Sequence, residues 1–467
     1  MRPGRLGSVI RGNLAFIVVV VIAALIRIAV ALAYWPALFW FDSWHYVDIA
    51  YSNSPVGIAA DRPSGYPLIL RLLFSAVREP VVVTTLQHLA GLTVGALTYT
   101  LLVRLGIRRG LAAAVAASVL LNSYAIALEQ YVLAEAFFGL ALFASSYLLI
   151  TRHSRTGLAV SGLLMAAAVL MRTVGLFAVP VWLLYLAWRR REAALIASGA
   201  LAVALPLLAY AAMHSAAGSG FGITQSDGWA LYSRVGRIAD CRKVDVPKGT
   251  RRLCEPGGPS HTATGWYFWD PASPANRSFG GVGAGDSAKS NQALGSFAKA
   301  VIRDRPGAYA SIVARDLARY LGPRGWPENI TLTLPDYGKP EGRTRVGERH
   351  RRHYLPNYER RIAPPAGDLQ TYQHVLHMPP WLLGLAVVLV VGELLALIIL
   401  RTRPAHAAEA FLLCGMGVSM LAAASAANGF IARYAIPLVP LLVCAGTIGA
   451  VESAAALRRS WRKEPTA

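Results

Sequence analysis

What most constrains this chain is a series of apolar stretches, each close to the length that spans a bilayer. A hydrocarbon core about 30 Å thick needs about 20 consecutive apolar residues in a helix. Within that core only helices or closed barrels satisfy the backbone. About ten such stretches run along the 467 residues, near 14–36, 82–103, 111–128, 132–150, 156–171, 173–188, 193–213, 379–400, 406–427 and 431–454. The first starts too far in, is too long and lacks an Ala-x-Ala-type exit for a cleaved signal, so it reads as an anchor. The predicted fold is therefore an all-α polytopic membrane protein. Only 15% of the residues are charged, against about 25% in soluble domains. That excludes a soluble enzyme, a disordered chain and a secreted disulfide scaffold. No internal repeat or heptad array is evident.

Charge orients the spans. The chain carries 46 Lys+Arg against 25 Asp+Glu, a formal +21. Arg2, Arg5 and Arg11 precede the first span. Arg104, Arg108 and Arg109 follow the second, Arg152 and Arg155 the fourth, and Arg189, Arg190 and Arg191 the sixth. Arg401 and Arg403 follow the eighth, and Arg458, Arg459, Arg462 and Lys463 the last. With ten spans all of these fall on one side, which the positive-inside bias makes the cytoplasm, with both termini inside. The charge excess is thus a topology signal, and nucleic acid is not implied. Three parts follow: a transmembrane module of seven spans over 1–213 with a first outer loop at 39–81, an exoplasmic mixed domain over 214–378, and C-terminal helices and tail over 379–467. Cys241 and Cys254 lie 13 residues apart in the exoplasmic part and are expected to pair. Cys414 and Cys444 fall within spans and read as packing residues.

The polar residues at the outer ends of the spans carry the chemistry. In FWFDSWHYVDIAYSNS (39–54), Asp42 shares a helical face with His45, Tyr46 and Ile49, while Asp48 points elsewhere. A helix N-cap is the plainer role for Asp42. In DRPSGYPLILRLL (61–73), Pro63, Gly65 and Pro67 make a turn carrying Arg62, ahead of an apolar helix that lies in the interface or re-enters. LEQYVLAEAFF (128–138) contains Glu129, read as a solvated loop residue, and Glu135, which begins a span or is buried in one. A carboxylate there is costly unless it is paired or faces a polar cavity. Arg172 in MRTVG and Arg433 in NGFIARY run against the positive-inside bias and point to a bound anion, with snorkelling as the plain alternative. Arg27, inside the first span, either snorkels, pairs with a carboxylate or lines a cavity. A carboxylate can activate a hydroxyl, and guanidiniums can hold a phosphate and stabilise it as it leaves. Such a set suits a substrate that is both anionic and lipid-linked.

The order of FWFDSWHY, RPSGYP, VLAEAFF, LMRTVGLFAVP and RYAIPLVP resembles the membrane-embedded GT-C glycosyltransferases, nearest the protein O-mannosyltransferase and lipid A aminoarabinose transferase branch. The likeness covers about 10–210 and the last span. It implies a GT-C-like fold and a polyprenyl-phosphate-linked sugar donor, mannose or arabinofuranose. It further implies transfer on the exoplasmic face. A single displacement at C1 with one carboxylate base predicts inversion, and Arg over Lys with Ala-rich spans suggests a GC-rich bacterium, whose plasma membrane would present an envelope glycan, lipid or protein as acceptor. Asp42 then takes the place of the catalytic base and Glu135 that of the second acidic residue. Arg62, Arg172, Arg433, His45, Tyr66 and Tyr434 become candidates for binding donor phosphate or acceptor. Where many members have Asp-Glu, Asp42 is followed by Ser43. No metal site is therefore carried over; no cofactor is expected, and a divalent cation stays open.

In the exoplasmic part, the aromatics of TATGWYFWDP (262–271) read as core, and 296–322 as two helical pieces broken at Pro306. The run Arg343, Arg345, Arg349, Arg351, Arg352, Arg360 and Arg361 reads as a solvated loop, with contact to anionic lipid as the alternative. GGVGAGD (280–286) lacks the Lys-Ser/Thr of a phosphate loop, and the pairs His350–His353 and His374–His377 lack a third ligand. The rival function is a transporter or lipid flippase for an envelope precursor, which would place polar groups at mid-membrane, where the sequence offers little besides Arg27 and Glu393.

Overall fold

The structure, a computed structural model, describes residues 3–52, 57–190, 192–323, 333–335, 349, 352–399 and 405–461, with the backbone alone over 3–11 and 456–461. Ten helices fill the N-terminal half: α1 (Pro3–Ala33), α2 (Phe41–Tyr51), α3 (Gly65–Ala76), α4 (Pro80–Arg104), α5 (Arg109–Leu120), α6 (Ser123–Gln130), α7 (Glu135–Thr151), α8 (Arg155–Met171), α9 (Val179–Arg189) and α10 (Ala193–His214). Three long apolar helices close the chain, Pro380–Ile399, Ala407–Ala427 and Val439–Trp461.

Among the described residues, six helical stretches are long and apolar enough to cross a membrane, and a seventh arises if α5 and α6, bent by 45°, count as one span. The expected ten are thus not all of spanning length. The bend falls where Asn122 leaves helical geometry and its side chain accepts from the Tyr124 amide, restarting the helix as α6. The stretch expected at 132–150 becomes helical only at Glu135, because residue 131 pairs with Leu38 in extended form. α7 and α8, at 17 residues each, and the apolar run Thr173–Arg189 are shorter than a full crossing.

Spans and connecting segments share one continuous apolar core. A second core lies in the insert, around Trp229, Tyr232, Leu253, Tyr267, Phe297 and Val301. A disulfide joins Cys241 to Cys254 at its edge, and Cys414 and Cys444 are free and buried. The insert was expected to be mixed; its described residues are helices and loops without a strand. Its two helical pieces do break at Pro306, into Ser287–Asp304 and Pro306–Leu321. Tyr320, at the end of the second piece, and Leu355, Tyr358, Ala366 and Leu369 beyond it bury into the main core. Arg2, Arg191, Arg343, Arg345, His350, Arg351, Arg401, Arg403, Arg462 and Lys463 lie outside the described residues, as do the side chains of Arg5, Arg11, Arg458 and Arg459.

Candidate functional site

Three short connections build the site. Beyond α1 the chain runs extended through Leu38, which pairs in parallel with Tyr131: the Leu38 amide donates to Gln130 O (2.9 Å) and the Val132 amide to Leu38 O (3.0 Å). α2 then begins, with the Trp40 amide donating to Ser43 Oγ (2.8 Å). Asp42 is therefore not the cap; it sits in the first helical turn, buried with Tyr46 and Ile49. The turn before α3 is pinned by Ser64 Oγ donating to Gly57 O (2.6 Å). Gly65 lets that turn close on the C-terminal end of α8, since a Cβ there would lie 2.6 Å from the Leu170 carbonyl carbon. This close approach brings the Arg62 turn beside Arg172.

Five side chains from five segments meet in one row. Arg62 Nη2 donates to Asp42 Oδ1 (2.6 Å), and Arg433 Nη2 donates to Asp42 Oδ2. The same Arg433 places Nε 3.6 Å from Glu135 Oε1, which also accepts from Arg172 Nη1. The order Arg62–Asp42–Arg433–Glu135–Arg172 alternates in sign, and Asp61, whose Oδ2 lies 3.8 Å from Arg62 Nε, extends it at the Arg62 end; the five named side chains alone carry a formal excess of one positive charge. Aromatic faces back the guanidiniums: Tyr46 lies 5.3 Å from Arg62, and Tyr434 lies 4.7 Å from Arg172 and 5.6 Å from Arg433. Burial alone would raise the Asp42 carboxyl, but Arg62 and Arg433 outweigh it and hold the group well below the ordinary carboxylate range. Three buried polar atoms in this row have no hydrogen-bond partner: Arg62 Nε, Arg433 Nη1 and Glu135 Oε2. Arg62 Nε still faces Asp61 Oδ2 at 3.8 Å, which leaves Arg433 Nη1, between two other guanidiniums, as the donor best placed for an incoming anion.

Of the residues expected at the site, Asp42, Glu135, Arg62, Arg172, Arg433 and Tyr434 come together. His45 meets none of these directly; it pairs with Asp61 (Nε2 to Oδ2, 2.9 Å), whose same oxygen lies 3.8 Å from Arg62 Nε. Tyr66 is fully buried against Tyr46, and its hydroxyl donates to Gln87 Oε1 (2.9 Å). Glu129 is not the solvated loop residue expected; it is 3% exposed and takes a two-pronged ion pair from Arg27 (2.8 and 2.9 Å). Arg27 accordingly pairs rather than snorkels. Sequence reasoning missed Gln87, His88 and Gln130, all buried. The signal was the polar step Thr84, Gln87, His88 on one face of an otherwise apolar span. An apolar crevice lined by Gly91, Ala136, Gly139 and Pro437 has Glu129 and Glu135 in its wall. Beside Asp42, the exposed Phe41 meets Trp269 of the insert edge-on (5.8 Å), while Tyr267 is core. Among the described residues no three His, Cys, Asp or Glu side chains cluster closely enough to hold a metal ion.

No family description matches the sequence, and no curated protein does. Two solved structures are similar to the chain. One is the crystal structure of the Archaeoglobus fulgidus oligosaccharyltransferase in the apo form, at 14% identity and a TM-score of 0.42, covering 96% of this chain and 52% of that one. The other is the archaeal oligosaccharyltransferase AglB from Archaeoglobus fulgidus in complex with an inhibitory peptide and a dolichol-phosphate, at 14% identity and a TM-score of 0.39, covering 97% and 52%. The chain spans about half the length of these proteins.

Proposed function

We propose that this protein is a membrane-embedded glycosyltransferase of the GT-C kind, moving a sugar from a polyprenyl-phosphate carrier to an envelope glycan, lipid or protein. The observation that carries the reading is Arg433, one guanidinium that reaches both Asp42 and Glu135 while keeping Nη1 idle. Arg62, Arg172 and Arg433 hold the donor phosphate, and Asp42 takes the proton of the acceptor hydroxyl. The acceptor oxygen bonds to C1 of the sugar as the bond from C1 to the phosphate oxygen breaks. The leaving phosphate gains a negative charge that the guanidiniums meet. A single in-line displacement of this kind inverts the anomeric carbon.

Both oxygens of Asp42 are engaged by guanidiniums, which makes the carboxylate a weak base. The donor phosphate competes for those guanidiniums, and Asp42 gains basicity as it loses them. Mannose and arabinofuranose are the sugars we favour. The setting is a bacterial plasma membrane, with both termini cytoplasmic and the Asp42 site exoplasmic. A transporter or lipid flippase is the second reading, and the buried Arg27–Glu129 pair inside the spans is what favours it. Purified protein incubated with radiolabelled polyprenyl-phospho-mannose or -arabinose and membrane extract separates the two. Label should move covalently to acceptor with wild type and not with Asp42→Asn. Equal transfer by both removes Asp42 as base, and no transfer by either removes the enzyme.

A further inference from the structure

The two carboxylates stand on segments far apart in the chain, and a buried polar stripe on α4 ties those segments together. The parallel pairing of Leu38 with Tyr131 sets their register, and from Leu38 to Asp42 and from Tyr131 to Glu135 is four residues each. A one-residue slip would shift one acid along the other and take it off the span of Arg433. A single isolated bridge cannot hold such a register alone.

α4 supplies the rest. Thr84 Oγ1 donates to Pro36 O (3.2 Å), in the first segment. Gln87 Nε2 donates to both Glu129 O (2.8 Å) and Tyr131 O (2.7 Å), in the second. Its own oxygen is fixed by the Tyr66 hydroxyl, so the amide cannot turn over. His88 lies between Glu129 Oε2 (Nδ1, 2.8 Å) and Gln130 Oε1 (Nε2, 2.9 Å). The Gln130 nitrogen donates to Tyr34 O (2.8 Å), back in the first segment. Both ring nitrogens thus have a buried partner, one on each side of the ring. Gly91, one turn on, leaves the space that the Glu129 carboxylate and Arg27 occupy. Each of these groups is buried, where an unmet donor or acceptor is expensive, so the arrangement is held as a unit.

We infer that Gln87 and His88 are positioning residues: with Gln130 they clamp the 34–42 and 129–135 segments in the register that lets Arg433 span Asp42 and Glu135. The inference rests on the transfer reaction proposed above for its catalytic consequence, but the clamp itself can be read without activity. In the full-length protein, a Leu38→Cys/Tyr131→Cys pair should oxidise to a cross-link readily, because the bridge holds the two backbones side by side. Adding Gln87→Met should lower cross-link yield several-fold under the same oxidant. In the cysteine-free-bridge background, Gln87→Met should cut kcat by about 10–100-fold while the donor KM changes less than about threefold, the pattern of misplaced groups rather than lost binding. If Gln87→Met cannot be purified folded, His88→Asn, which removes the ring and leaves Gln87, gives the same two readouts. Unchanged cross-link yield, or an unchanged kcat with active wild type, overturns the clamp. A lowered cross-link yield in a protein whose wild type transfers no sugar supports the clamp and sinks the glycosyltransferase reading instead.

Discussion

On the proposed mechanism, replacing Asp42 with Asn should make the protein hold its donor more tightly while nearly stopping the reaction. The carboxylate occupies Arg62 Nη2 and Arg433 Nη2, the same groups an incoming phosphate needs. Asn is close in size, so the site keeps its shape but loses one negative charge. Two like charges about 5 Å apart at an effective dielectric of about 20 repel by about 3 kcal/mol. Relaxation of the side chains lowers that to about 1.5–3 kcal/mol, and since about 1.4 kcal/mol is tenfold, affinity should rise by about 10–100-fold. Transfer should fall by about 10²–10⁴-fold, the range lost with a general base. Calorimetric titration of detergent-solubilised protein with a short-chain polyprenyl phosphate reads the first number, and label transfer from a polyprenyl-phospho-sugar reads the second. Weaker binding by Asp42→Asn would refute the competition between base and phosphate, however low its turnover.

Arg433→Lys keeps the charge but cannot reach both carboxylates, and label transfer should fall by about 10²-fold; wild-type turnover would mean that the bridge is incidental. Glu129→Leu leaves Arg27 and His88 without their carboxylate and should destabilise the protein by about 3–5 kcal/mol, read as a lowered thermal midpoint in detergent. Adding Arg27→Met should restore part of the loss. The Asp42 carboxyl is held below its unfolded value, so its contribution to stability is complete above the unfolded value of about 4 and is lost as pH falls toward the folded one. Thermal midpoints measured from pH 6 downward should accordingly decline less for Asp42→Asn than for wild type, and parallel curves would count against the Arg62 and Arg433 pairing. Opening the Cys241–Cys254 link by a Ser pair should cost about 3 kcal/mol for a loop of this length. Peptide mapping with and without reductant checks that the link exists.

The sequence disclosed the parts of this site better than their assembly. Hydropathy marks where helices run, and a charged residue at the end of an apolar stretch stands out, which is how Asp42, Glu135, Arg172 and Arg433 could be singled out. Pairing was not legible. Arg27 and Glu129 are 102 residues apart, and nothing local tells a snorkelling arginine or a loop glutamate from a buried ion pair. The same holds for His45, whose place on the Asp42 face said nothing of Asp61 across the turn. Helix length was misjudged at 132–150 because Val132 and Leu133 are as apolar in an extended bridge as in a helix. The insert was expected to be mixed, whereas its described residues form helices and the loops between them.

The odd number of charges in the Arg62–Asp42–Arg433–Glu135–Arg172 row bears on how a finished reaction would end. A phosphodiester donor brings one negative charge and balances the surplus of these five side chains. Transfer moves a proton onto Asp42 just as the phosphate gains its second charge, so the sum stays at zero and nothing pushes the carrier out. Once Asp42 sheds that proton, the chamber is left with a surplus of negative charge, and the carboxylate reclaims its two arginines from the spent lipid. On this account the residue that begins the chemistry also evicts the product, and the clearance rate would track how easily water reaches Asp42.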